Sequence, residues 1–179
     1  MPSFDEWTSA YLCLEERVRD LMNEHCAPTC AVCRRVCCKE HFCHESLDST
    51  YLVRARALVE PPEYSANSGW LGPHGCRLPG ARPPVCYEFV CSRILEDLSP
   101  AKRHALLVAG SIVPFLGNHA VGKWHLVELD DEMMPDFDPE KEWWRLSVAE
   151  AALDAARTVL SEGEPTADGI EAMERVAHG

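Results

Sequence analysis

Cysteines dominate the residues of this chain that could carry out chemistry. Nine of the ten lie within residues 26–91, and only Cys13 lies outside that stretch. Thiols stay reduced in a reducing compartment, so a dense cluster there indicates metal binding rather than disulfides. Cys30 and Cys33 have the C-x2-C spacing that lets a chain turn so that both sulfurs face one ion. The sequence therefore predicts a metal site built from cysteine thiolates.

The residues after this pair extend the candidate site. Cys37 follows Cys33 at a one-turn helical spacing and could bind the same ion. Cys37 and Cys38 are adjacent, and since neighbouring side chains diverge, both would serve one ion only with strain. Basic residues in the range 34–39 fit an electrostatic need, because nearby cations lower the pKa of thiols and stabilise the charge of a metal–thiolate group.

A second cysteine segment follows a long stretch rich in proline and glycine. It contains, in order, Cys76, Arg82, Pro83, Cys86, Phe89 and Cys91. Together with the C-x2-C-x3-C-C cluster that starts at Cys30, it resembles the YkgJ-type cysteine-cluster family, which is described as zinc- or iron-chelating. The resemblance covers residues 26–98 and implies metal binding without specifying a reaction. In this chain the first cluster is one residue longer than the family pattern.

Spacing and resemblance together define the candidate ligands. They are Cys26, Cys30, Cys33, Cys37, Cys38, Cys76, Cys86 and Cys91. A continuous helix would point Cys86 and Cys91 about 140° apart, so they could share an ion only if Cys86 preceded the helix. His41 and His44 are alternative ligands. The expected cofactor is zinc or iron, because thiolates suit both zinc and iron–sulfur clusters.

Three classes of function fit these residues. The first is a structural metal domain that shapes a surface for a protein partner, and the second is an iron–sulfur protein with a redox, sensing or enzyme-accessory role. The third uses the metal catalytically, but the chain lacks G-x-S-x-G, H-E-x-x-H and phosphate-binding glycine motifs. The cysteine spacing over residues 26–33 matches radical S-adenosylmethionine enzymes, but the strand–helix alternation of those enzymes is missing. The balance leans against an enzyme.

The pattern of apolar residues predicts a mostly α fold: a small helical domain with an irregular cysteine-rich metal-binding loop region and at most one or two short strands. A capping box at Ser3 and Glu6 starts the first helix, whose periodicity ends near Cys26. We expect further helices at 46–58, 90–98, 100–114 and from Asp138-Pro139 to Gly163, a frayed helix at 166–179, a loop at 60–85 and a strand at 121–129.

Charge suggests a division of the chain. Residues 126–179 hold 4 Lys+Arg and 15 Asp+Glu, whereas the first 125 are nearly balanced. We expect a metal-binding domain at 1–98 and an acidic helical region at 99–179, which alternatively belongs to the same core. An acidic surface repels phosphates, so a protein rather than a nucleic acid is the expected partner. No run of apolar residues could span a membrane, and the acidic N-terminus does not resemble a signal peptide, which favours a cytoplasmic location.

Overall fold

The computed structural model describes residues 3–32, 38–73 and 75–179. In these ranges the chain forms eight α-helices and one two-stranded antiparallel sheet, so the predicted mostly α fold is confirmed. The helices are α1 (Phe4–Cys30), α2 (Glu40–Glu45), α3 (Thr50–Ala57), α4 (Val85–Glu88), α5 (Ser92–Glu96), α6 (Pro100–Gly117), α7 (Pro139–Leu160) and α8 (Ala167–His178). The strands are β1 (Leu71–Gly72) and β2 (Gly75–Cys76). None of the helices described is long and apolar enough to cross a bilayer.

Local capping explains where the long helices begin. Ser3 and Glu6 form the predicted capping box: the Glu6 amide donates to Ser3 Oγ, and the Ser3 amide donates to Glu6 Oε2. Ser99 and Asp138 cap α6 and α7, and each is followed by a proline at the first helical position. Proline has no amide hydrogen to leave unsatisfied there. The predicted starts of these three helices are confirmed.

One apolar cluster draws on helices from both ends of the chain. α6 packs against α1, α4, α7 and α8, and α1 also contacts α7. Trp7 of α1 is fully buried and places its ring 5.0 Å from that of Phe137, which precedes α7. Residues 4–30 and 100–176 therefore contribute to one continuous core.

A second, smaller cluster forms around the β-hairpin. Cys43, Trp70 and Leu78 are buried in it, and Tyr64 and Cys76 pack against them. The hairpin pairs Leu71 with Cys76 inside the stretch 60–85 that was predicted to be a loop. The order of this proline-rich stretch thus comes from a compact aromatic cluster that includes two of the cysteines.

Three local predictions are wrong. Residues 121–129 form no strand, because Gly122 turns the chain with a φ of 59° and residues 126–128 form a 3₁₀ helix. Residues 167–178 form a regular helix rather than a frayed one, since Met173 and Val176 are buried against the core. The first helix does not end near Cys26 but continues to Cys30, with Pro28 in its last turn. The helix predicted at 90–98 is present but shorter, as α5 (Ser92–Glu96), because its N-cap Cys91 is extended.

Candidate metal centre

The first group of thiols forms where the end of α1 meets the start of α5. Cys26 and Cys30 are four residues apart on α1, so they lie on the same helical face. Cys91 is the N-cap residue of α5, which packs against α1. The pKa of Cys26 is raised to about 11. Burial is the largest cause, and the nearby thiolate charges of Cys30 and Cys91 add to it. Cys30 and Cys91 therefore both lie close enough to Cys26 to act on it electrostatically.

The second group gathers thiols from four separate segments. Cys38 precedes α2, Cys43 lies in α2, Cys76 lies in β2 and Cys86 lies in α4. Burial raises the pKa of Cys86 to about 12, with added effects from the charges of Cys76, Cys38 and Cys43. Cys86 as a whole residue is nonetheless exposed to solvent. Burial also raises the pKa of Cys76, again with Cys43 contributing.

A close backbone approach holds Cys43 in place. Gly69 adopts a φ of 58°, and a Cβ atom there would lie 2.4 Å from Cys43 Cβ and 2.9 Å from its Sγ. Only glycine permits both this conformation and this contact. The neighbouring Trp70 donates its indole N–H to the Pro62 carbonyl at 3.1 Å, which fixes the ring beside Cys43.

Arg82 brings positive charge to the second group. Its Nη2 donates to the carbonyl oxygens of Leu78 at 2.7 Å and Cys76 at 3.3 Å, so the guanidinium lies beside the hairpin. Its charge lowers the pKa of both Cys76 and Cys86, although burial outweighs this effect. The arginine of the predicted motif thus lies where it stabilises thiolates.

Glu15 is a buried residue of the site that the sequence analysis missed. Its side chain is fully buried on α1, where it accepts hydrogen bonds from the amides of Ala81 at 2.7 Å and Arg82 at 2.9 Å and from the Tyr87 hydroxyl at 2.8 Å. These contacts fix the loop between Cys76 and Cys86 to the first helix. The available signal was a carboxylate four residues after Tyr11, on the apolar face of the predicted helix.

The predicted ligands divide into three sets. The structure brings Cys26, Cys30 and Cys91 into one group and Cys38, Cys76 and Cys86, joined by Cys43, into another, whereas Cys33 and Cys37 lie outside the described residues. Cys86 lies in α4 and Cys91 at the N-cap of α5, so the two are not on one continuous helix. Of the alternative ligands, His44 is engaged through Nδ1 with the Tyr64 hydroxyl.

The arrangement fits the chemistry of a bound cation, although the thiols are not closed into a ligand set. Among the residues that the structure describes, no three His, Cys, Asp or Glu side chains are arranged to hold a metal ion. Thiolate sulfur is the donor type that a thiophilic metal such as zinc or iron takes, and the charge of the adjacent Arg82 lowers the pKa of Cys76 and Cys86.

A groove in the described part of the chain is separate from the thiols. It has a volume of about 740 Å³ and lies between α2, α4, α6 and α8, with Glu45, Glu88 and Glu128 among its lining residues. Phe42 and Val85 also line it, and each is next to a cysteine in the sequence, but none of the described cysteines does. The groove is thus a neighbour of the second thiol group rather than part of it.

No family model, curated protein or solved structure matches this chain. The resemblance to the YkgJ-type family therefore stays a prediction from residues 26–98.

Proposed function

We propose that this protein binds zinc or iron through the thiolates of its clustered cysteines, and that the bound metal has a structural or partner-binding role. The observation that carries the proposal is the gathering of seven described cysteines into two groups from six separate parts of the chain. The YkgJ-type resemblance supports the same conclusion independently of the geometry.

The ligands that we propose follow from the sequence and the two groups. They are Cys26, Cys30, Cys38, Cys76, Cys86 and Cys91, together with Cys33 and Cys37. A bound metal supplies positive charge and joins segments that have few apolar residues of their own, so its binding energy becomes folding energy. We propose no acid–base or nucleophilic residue, and a protein partner in the cytoplasm fits the acidic 126–179 region better than a nucleic acid does.

An iron–sulfur cluster is the alternative cofactor. The group of three thiols at Cys26, Cys30 and Cys91 favours it, because three thiolates from one region are enough to hold such a cluster with one position left open. This alternative would give the protein a redox, sensing or enzyme-accessory role. Absorption in the visible range distinguishes the two, since an iron–sulfur protein is brown and a zinc–thiolate protein is colourless.

The experiment is anaerobic purification followed by elemental analysis and absorption spectroscopy. We expect at least one tightly held zinc or iron per chain, and we expect a strong chelator to lower the melting temperature. Cys76→Ser should lose metal, whereas Cys13→Ser should keep it, because Cys13 is exposed on α1 and belongs to neither group. A protein that is purified and reconstituted without retaining any metal would refute the proposal.

A further inference from the structure

We infer that the groove between α2, α4, α6 and α8 is a docking site for a segment of a partner protein that combines arginine or lysine with apolar side chains. The inference deepens the partner-binding role of the proposed function, and in that respect rests on it. It goes further because it gives the partner a surface and a chemistry. The site is independent of the metal, since none of the described cysteines lines the groove.

The floor of the groove is apolar. Leu52 of α3, Phe115 of α6 and Val176 of α8 line it and are at most 9% exposed. Pro83 and Pro84, which precede α4, are also buried residues of the lining. The volume of about 740 Å³ is typical of sites where proteins bind ligands. Such a floor removes the apolar side chains of a bound segment from water, which favours docking.

The rim of the groove is acidic. Glu45 of α2, Glu88 of α4 and Glu128 of the 3₁₀ helix all line it and are all exposed. Among the described residues of the lining there is no lysine or arginine, and the other titratable side chains are His125 and His178. Within the ranges that the structure describes, none of the three carboxylates forms an ion pair with a lysine or arginine. The rim is therefore complementary in charge to a cationic ligand.

One edge of the groove carries an exposed aromatic ring. Phe42 lines the groove and stacks on Phe89, with the ring centroids 5.9 Å apart and the ring planes 28° from parallel. Phe89 is 63% exposed and directly follows Glu88 of the rim in the sequence. A guanidinium can pair with a carboxylate and stack on an aromatic face, which an ammonium group does less well. This edge therefore suits an arginine of the bound segment.

The charge of the whole chain distinguishes between possible occupants. The formal net charge is −12, so a second copy of the chain would bring the same sign of charge to the acidic rim. The phosphates of a nucleic acid would be repelled for the same reason. The site is an open groove rather than an enclosed cavity, which suits an extended segment of a chain. The occupant that fits is thus a basic segment of a different protein.

Peptide binding to the full chain tests the inference. The probe is a fluorescently labelled synthetic peptide that alternates leucine with arginine, and fluorescence anisotropy measures its affinity near neutral pH. Two peptides of the same length serve as controls, one with glutamate for arginine and one with serine for leucine. We expect only the first peptide to bind well, with an affinity that falls as salt screens the charges. Equal binding of the serine peptide, or displacement by spermine at the same concentration as by unlabelled peptide, would mean recognition of charge alone and would overturn the inference.

Charge reversal locates the binding site. The double variant Glu45→Lys/Glu88→Lys should weaken binding of the leucine–arginine peptide on the order of 10-fold, because it replaces attraction at the rim with repulsion. The matched control is Glu132→Lys/Glu164→Lys, which changes the net charge equally at two exposed residues that do not line the groove. The control should change the affinity by less than roughly 2-fold. An equal loss in both double variants would place the binding on the acidic surface in general and refute a site in the groove.

Amide resonances of the unaltered protein give a measurement that needs no variant. Adding the peptide should shift mainly the amides of the lining, such as those of Ser111, Asn118 and Val127. Shifts concentrated instead at the exposed residues of α7 would contradict the inference.

Metal analysis of the same samples separates this inference from the proposed function. A protein that retains zinc or iron but does not bind the leucine–arginine peptide would overturn the docking site and leave the metal proposal standing. A protein that binds the peptide in the groove but retains no metal would support the docking site and refute the metal proposal.

Discussion

Tyr87 donates its hydroxyl proton to Oε1 of Glu15 across 2.8 Å, which joins the α4 segment of the second thiol group to the middle of α1. The two residues are 72 positions apart in the chain. Burial raises the pKa of Glu15, while the donors at Tyr87, Ala81 and Arg82 oppose that rise. Ala81 itself has a φ of 53°, so a buried carboxylate fixes a turn that few side chains adopt readily. This contact positions α4, which carries Cys86.

Glu15→Gln should destabilise the protein by about 2–3 kcal/mol. The NH2 group of the new glutamine side chain would replace one carboxylate oxygen, so a donor that Glu15 accepts from would lose its acceptor. Urea denaturation measures the change. Glu16→Gln is the matched control, since Glu16 is 62% exposed and pairs only with Arg19 on the surface; we expect it to change stability by less than about 0.5 kcal/mol. Equal values for both variants would show that the Glu15 network does not stabilise the fold.

Gly110→Ala should destabilise the protein although alanine normally favours a helix by about 1 kcal/mol over glycine. A Cβ at residue 110 would lie 2.5 Å from the Tyr87 carbonyl oxygen, so α4 would have to move away from α6. Overpacking of this kind typically costs about 1–3 kcal/mol. Thermal melting tests this, with Ser111→Ala as the control, because the Ser111 hydroxyl bonds only to its own helix at Leu107. A rise in melting temperature for Gly110→Ala would contradict the close approach.

Stability should fall as the pH drops from 7 to 5, in part through His125. Burial lowers the pKa of His125, and the charge of Arg145 adds to this, whereas the Pro114 carbonyl and Glu128 oppose it. The Val127 amide donates to Nδ1, which protonation would prevent. Below the usual imidazole pKa of about 6.5 the unfolded chain binds a proton that the folded chain does not, so this contribution is complete above that pH and is lost as pH falls.

Substitution isolates the histidine from other groups that titrate. His125→Gln should flatten the dependence of unfolding free energy on pH by less than about 1.4 kcal/mol per pH unit, the limit for one proton. His104→Gln, at an exposed position of α6, should leave the slope unchanged. Identical slopes for the unaltered protein and His125→Gln would show that His125 does not contribute.

A truncation that ends at Leu98 should not fold on its own. It removes Phe137, whose ring centroid lies 5.0 Å from that of Trp7 and 5.5 Å from that of Phe4, and it exposes the face of α1 that packs against α6 and α7. Circular dichroism and the dispersion of amide resonances measure folding in the presence of zinc. A folded, metal-loaded fragment would instead support an independent domain at 1–98.

The sequence by itself determined where the long helices begin. The cap residues Ser3, Ser99 and Asp138 and the helical spacing of apolar residues predicted where the long helices start, because capping and amphipathic periodicity act over a few residues. The concentration of thiols between residues 26 and 91 predicted the region of the candidate metal centre for the same reason, since that information lies in type and spacing.

The tertiary structure decided which thiols meet. Cys43 joins Cys76 and Cys86 because the hairpin and Trp70 form a cluster. Cys91 joins Cys26 because an extended Phe89 ends α4 before Cys91. Neither event leaves a short-range pattern in the sequence. The burial of Glu15 and Arg56 likewise depends on contacts between distant segments, whose energies come from desolvation and packing rather than from local propensity.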